Sequence, residues 1–247
     1  MELLDLTGKL ALVTGSSRGI GRAAALTLAK LGAEVIFHGS KASEKLVSAA
    51  AEVGAVSLVA DFEQPKAVEK LADGLIGHAK APDILVLNAS VQSYTGLENF
   101  DAGEFDRMFR ANVESSCILL WKLLPEMRKK GFGRVIFVGS INGVRPASRL
   151  AIYGATKAAL LNIARTAAKD NALYGITVNT ILPGVIETDR NAEKLSDDAF
   201  ASELRKRIPM GRFGTVDDCS GAIAFLASDA ASYITGAEIP VSGGWQL

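Results

Sequence analysis

The chain has 247 residues, 27 Lys+Arg against 27 Asp+Glu, 49% apolar and 22% charged residues, 2 Cys and 2 His. A chain of this length can bury roughly 70–75% of its unfolded surface without metal or disulfide staples, so one domain over residues 1–247 is expected. Zero net charge, with no basic block longer than "RKKG" or "LRKRI", argues against nucleic acid and anionic membrane as partners.

The start, "MELLDLTGKLALVTG", has acids where a signal peptide would be basic, and no apolar run reaches the ~18 residues of a spanning helix. The expectation is a cytoplasmic protein. Cys117 and Cys219 lack CxxC spacing and read as free thiols in buried positions, and the two histidines and two cysteines form no metal-ligand cluster.

Short apolar, often β-branched runs at 10–14, 34–38, 56–60, 84–87, 135–138, 177–181 and 238–241 read as strands. Most are continuous rather than alternating, as in strands of a parallel sheet covered on both faces. Between them lie helical patterns at 19–31, 43–53, 65–78, 102–130, 149–174, 197–207 and 216–228. Right-handed crossovers place such helices on both faces of a doubly wound α/β sheet of about seven strands. The charged stretch 187–212, between the sixth strand and the last large helix, is a candidate substrate lid.

After the first strand, "TGSSRGIG" sets Gly15, Gly19 and Gly21 at the entrance to a helix, with Ser17, Arg18 and Ile20 between them. Glycines allow a tight turn and close backbone approach, and the free N–H groups of the helix start face an anion such as a dinucleotide pyrophosphate. The spacing is G-x-x-x-G-x-G, a departure from G-x-G-x-x-G. Gly15, Ser17 and Gly19 also fit a nucleophile elbow, but a serine hydrolase needs a histidine later in the chain and none follows His78. His38 and His78 read as an ordinary strand-end residue and an exposed helix-end residue. At the end of the second strand, "FHGSK" offers Gly39 and Ser40 and no acid to hold a ribose 2′-hydroxyl. NADP(H) is therefore preferred over NAD(H), with Arg18 available to a 2′-phosphate.

After the fifth strand, "VGSINGVRPASRLAIYGATKAAL" puts Ser140 at a strand end and Tyr153 and Lys157 four apart on a helix. A lysine cation beside a phenol favours phenolate and lowers its pKa, suiting the tyrosine to proton exchange at a carbonyl or alcohol oxygen. Ser140 would hydrogen-bond the same oxygen.

With the glycine loop, Ser140, Tyr153 and Lys157 in this order, the chain resembles the short-chain dehydrogenase/reductase family over essentially its whole length. The resemblance implies a single-domain Rossmann-type oxidoreductase moving a hydride between nicotinamide and a carbonyl or secondary alcohol. It implies Tyr153 as general acid/base, Lys157 as its tuning residue and ribose ligand, Ser140 as substrate-oxygen partner and Asn112 as anchor of a proton-relay water. It further implies Asp61 and Phe62 beside the adenine, Asn88 and Ala89 supporting sheet and cofactor, and Pro183, Gly184, Ile186 and Thr188 at the nicotinamide. A homotetramer is implied, with 102–130, 149–174 and the C-terminal segment at its interfaces.

Two departures stand out: Ser90 where the family usually has glycine, and Ser242 where Asp is frequent. β-Ketoacyl carrier-protein reductase-like members share the glycine loop and "GRFG", but these features are widespread in the family, and the lid, with Leu195, Phe200 and Met210, selects no substrate. An NADP-binding sensor or assembly module without activity is the competing reading. A sugar-nucleotide epimerase is weakened by the short chain.

Overall fold

In the computed structural model, which describes residues 3–78 and 80–247, strand and helix alternate from end to end. Met1, Glu2 and Ala79 of the expected 1–247 domain thus lie outside the described residues. The first half comprises β1 (Leu10–Val13), α1 (Gly19–Lys30), β2 (Glu34–Gly39), α2 (Glu44–Ala51), β3 (Val56–Val59), α3 (Pro65–Gly77), β4 (Ile84–Leu87), α4 (Ala102–Phe109) and α5 (Ser115–Lys130). There follow β5 (Gly133–Val138), α6 (Ala151–Asn171), β6 (Ile176–Pro183), α7 (Asp189–Leu195), α8 (Asp198–Lys206), α9 (Val216–Ala227) and β7 (Glu238–Val241).

The strands form one parallel sheet in the order β3-β2-β1-β4-β5-β6-β7. Side chains alternate across a strand, yet both faces are buried here. Ala11 and Val13 of β1 pack with Leu28 of α1, Leu46 of α2 and Ile223 of α9. Leu12 faces the other way, into a core with Val68 of α3, Leu119 and Leu123 of α5 and Leu160 of α6. That double cover explains the continuous apolar runs. At one edge β3 exposes Val56 and Val59 by about half; at the other, β7 carries Pro240, which has no N–H to offer a further strand.

Strand order reverses between β1 and β4, one leading outward to β2 and the other to β5. Their crossovers diverge and leave a crevice beyond the strands' C-terminal ends, where open α/β sheets bind ligands.

Two expectations are corrected. The helix expected over 102–130 is two helices joined by a π turn at Arg110–Glu114. The Ser115 hydroxyl donates to the Ala111 carbonyl (2.7 Å) and that of Ser116 to the Asn112 carbonyl (3.1 Å), supplying partners where the helical ladder is widened. In the 187–212 segment the helix expected at 197–207 is α8, and a further helix, α7, precedes it where none was expected; Asp197 caps α8 by accepting from the N–H groups of Ala199 and Phe200. Both cysteines are free; Cys219 is buried, which pushes its thiol up to about 12, whereas Cys117 is only half-buried. Among the described residues, no helix is long and apolar enough to cross a membrane.

Candidate active site

A cleft of ≈ 690 Å³ opens at the C-terminal edge of the sheet. The loop between β1 and α1 forms one wall. Gly15 has φ +65°, and a Cβ there would lie 2.9 Å from Ala89 Cα; a Cβ on Gly21 would collide with the Gly15 carbonyl. At Gly15 and Gly21 the cradle is therefore held to bare backbone, because neither position can carry a side chain. It leads into an α1 whose N-cap, Arg18, makes no side-chain cap bond and whose first turn holds no acid, so donors remain for an anion. These features fit a dinucleotide pyrophosphate.

Side chains from neighbouring strands fix the cradle. The Asn88 amide donates to the Thr14 and Gly15 carbonyls (2.9 and 3.0 Å). Thr14 Oγ1 accepts from the N–H groups of Asn88 and Ala89 and donates to the Val86 carbonyl. His38, buried at the end of β2, accepts from the Gly15 N–H through Nδ1 (3.1 Å) and donates from Nε2 to the Ala60 carbonyl (3.0 Å). Its ring stacks on Phe62, with centroids 4.2 Å apart. Burial pushes the imidazole down to about 4, so it is neutral at ordinary pH. His38 is thus part of the site's frame, which its sequence position alone did not reveal.

At the β2 end of the cleft, Gly39, Ser40 and Lys41 line the wall without a carboxylate among them. Asp61 and Phe62 follow, the Asp61 carboxylate accepting from the Glu63 N–H (3.0 Å). The Arg18 guanidinium faces Asp189 of α7 at 3.8 Å, and Lys45 meets the same carboxylate at 3.0 Å. Pro183, Gly184, Ile186 and Thr188 line the cleft where the chain runs from β6 into α7.

Opposite the glycine loop stand Ser140, Tyr153 and Lys157, at 7, 6 and 2% exposure. Ser140 follows the end of β5 by two residues, and its Oγ accepts from the Asn142 N–H (3.1 Å). Tyr153 and Lys157 share a face of α6, with Nζ 5.7 Å from the phenol ring centre and donating to the Val138 carbonyl (2.8 Å). Burial pushes the Tyr153 phenol above its usual range, while the Arg190 charge and the Ser140 hydroxyl act against that rise. Lys157 is pushed down to about 7, by burial first and by Arg190 second. The expected direction of tuning is therefore reversed: desolvation of both groups outweighs any pull of the ammonium on the phenol.

Two expected residues stand behind the wall rather than on it. Gly21 packs against the back of the cradle. Asn112, fully buried in the π turn, clamps Val91 by accepting from its N–H (2.7 Å) and donating to its carbonyl (2.9 Å), and also donates to Thr156 Oγ1 (3.1 Å). Its side chain is thereby committed. The other expected site residues, including Ser17, Gly19, Ile20 and Ala89, line the cleft together with Leu195 and Phe200 of the 187–212 segment, whereas Met210 is 69% exposed and does not. Arg190, not anticipated from the sequence, crosses from α7 to Ser90, donating to its carbonyl (2.7 Å) and Oγ (3.2 Å).

A family model described as enoyl-(acyl carrier protein) reductase matches residues 15–246. The 3-oxoacyl-(acyl-carrier-protein) reductase FabG of Escherichia coli (strain K12) is 39% identical over 247 residues, covering 99% of this chain and all of that protein. Among solved structures, a 3-oxoacyl (acyl-carrier-protein) reductase from Agrobacterium tumefaciens with NADP bound superposes with a TM-score of 0.93 at 37% identity, over 98% of this chain and 96% of that one. A gluconate 5-dehydrogenase from Burkholderia cenocepacia, in complex with NADP and tartrate, gives 0.93 at 32% identity, over 99% and 97%.

Proposed function

The chain belongs to the short-chain dehydrogenase/reductase family, and from that premise we propose that it is a cytoplasmic NADP(H)-dependent oxidoreductase that reduces the carbonyl of a small molecule. The observation that carries this reading is the gathering of buried Ser140, Tyr153 and Lys157 on the wall facing the glycine cradle. The domain is taken as 1–247, with 187–212 as its substrate lid.

Bound NADPH supplies the hydride. Gly15, Ser17, Gly19 and Ile20 hold its pyrophosphate side, Arg18, Gly39 and Ser40 the 2′-phosphate end, and Asp61 and Phe62 the adenine. Asn88 and Ala89 support the cradle, and Pro183, Gly184, Ile186 and Thr188 face the nicotinamide. The absence of an acid in "FHGSK" and the NADP-bound relatives support NADP(H) over NAD(H).

The substrate oxygen sits between Ser140 and Tyr153. Ser140 Oγ already accepts from the Asn142 N–H, which leaves its own hydrogen to donate to that oxygen. Tyr153 donates its proton as the oxygen gains negative charge. A phenol raised by burial stays protonated at neutral pH, the state in which reduction needs it. Lys157, with a pKa of about 7, can return the proton. Asn112 contributes to the relay through its main-chain carbonyl, which accepts from Ser116 Oγ and has a second lone pair for water.

Exposed Trp121 on α5, Leu173 just after α6, and Tyr233 and Leu247 toward the C-terminus support a homotetramer through these segments. Static light scattering tests the assembly, and a monomer at micromolar concentration would refute it. Titration with NADPH and NADH, followed by nicotinamide fluorescence, tests the cofactor assignment. Tight binding of NADPH alone is expected, and preference for NADH would overturn the 2′-phosphate assignment.

A further inference from the structure

The relatives named above act, by their names, on carrier-bound oxoacyl groups or on gluconate, and the substrate half of this cleft distinguishes such chemistries. Beyond Tyr153 it is lined by Val91, Gln92, Asn142, Leu150, Phe200 and neighbouring residues, mostly neutral, with Arg190 among them. The other cation nearby, Lys157, is tied to the Val138 carbonyl.

Arg190 is held as a fork. Nη2 donates to the Ser90 carbonyl and Nη1 to Ser90 Oγ, bonds spanning 100 residues of sequence. Ser90 stands where a glycine would leave the second bond unmade, so the hydroxyl helps to set the plane of the guanidinium. Among the residues whose side chains are described, no carboxylate lies within ion-pair distance of Arg190. The neighbouring acid, Asp189, points to Lys45 and Arg18 instead. A guanidinium has five N–H donors; two are used on Ser90 and one reaches toward the Tyr153 hydroxyl, which leaves donors for a ligand.

We propose that Arg190 is a specificity-determining residue that binds a substrate carboxylate, and that the enzyme acts on oxo acids whose carboxylate stands close to the reacting carbonyl. This rests on the reductase reading of the same site. The carbonyl oxygen must lie at Tyr153, and Arg190 lines the same cleft within hydrogen-bonding reach of the Tyr153 hydroxyl, so a group bound to it lies within a few bonds of that oxygen. Planar, two-pronged recognition of a carboxylate is what a fixed guanidinium does best, and a partly enclosed cleft strengthens it. A neutral thioester or ester in the same place would leave the cation without a counter-charge.

The test compares acetoacetate with methyl acetoacetate under NADPH, for the native protein, Arg190→Gln and Arg190→Lys. The native enzyme is expected to favour the acid. Arg190→Gln should lower the acid-to-ester ratio of kcat/KM by about tenfold or more, chiefly through KM, and Arg190→Lys should restore part of it. A loss shared equally by acid and ester, as from a merely structural role at the lid, would overturn the proposal. So would a native enzyme without preference for the acid.

A readout independent of turnover accompanies it: calorimetric binding of malonate, against malonamide, to the protein saturated with NADPH. Malonate should bind and Arg190→Gln should weaken it about tenfold, while equal binding to both proteins would refute the anion site. If neither keto compound is reduced yet malonate binds through Arg190, the reductase reading is what fails.

Discussion

Gly15 and His38 are joined by a hydrogen bond in which the glycine N–H donates to the imidazole Nδ1, 3.1 Å away, across paired strands β1 and β2. Because Nε2–H is directed to the Ala60 carbonyl, the ring serves as acceptor on one side and donor on the other, and only the neutral form can do both. The glycine loop is thus fastened to a buried neutral histidine.

This fastening makes stability depend on pH. The folded His38 titrates at about 4 against an ordinary 6.5, so between these values the unfolded chain binds the proton that the folded one refuses. The stabilisation is complete above about pH 6.5 and drains as pH falls toward 4, a loss of about 3 kcal/mol. Urea unfolding at pH 7 and pH 4.5 should show it, and His38→Gln should flatten the difference. A variant with the same pH dependence as the native protein would refute the assignment.

Thr14 is the second fastening. Replacing it with the nearly isosteric valine leaves the N–H groups of Asn88 and Ala89 without their acceptor. A cost of about 2–4 kcal/mol is expected, with weaker NADPH binding because Asn88 also holds the Gly15 carbonyl. Chemical denaturation and a fluorescence titration check both effects; unchanged stability would mean that the buried amides find other partners.

On the proposed mechanism, Lys157 sets the alkaline limit of the reaction. With a pKa of about 7, it loses the proton it would return to Tyr153 as pH rises through neutrality, so reduction should slow there. Arg190 contributes to that low value by like-charge repulsion. Arg190→Gln should therefore move the alkaline limb of the kcat/KM profile to higher pH. A limb that stays in place or moves toward acid would contradict the electrostatic link.

Much of this was legible in the sequence because it rests on local pattern. Continuous apolar strands such as Ile84–Leu87 follow from burial on both faces, and the glycine loop, Ser140 and the Tyr153–Lys157 pair follow from spacing on a strand end and a helix face. What was hidden depends on contacts distant in sequence. His38 gains its role only when β2 pairs with β1, and Arg190 only when α7 meets the loop after β4. The π turn was concealed because the apolar periodicity of 102–130 runs through it, while its compensation lies in the hydroxyls of Ser115 and Ser116. The tuning of Tyr153 and Lys157 was reversed because a shared helix face gives proximity but not depth of burial.

The central claim is proton donation by Tyr153, and Tyr153→Phe tests it most directly, since the ring is kept and only the hydroxyl is lost. On any carbonyl substrate the native protein reduces with NADPH, kcat should fall by about 10²–10⁴-fold while fluorescence titration still detects NADPH bound. Turnover close to native in that variant would contradict the account.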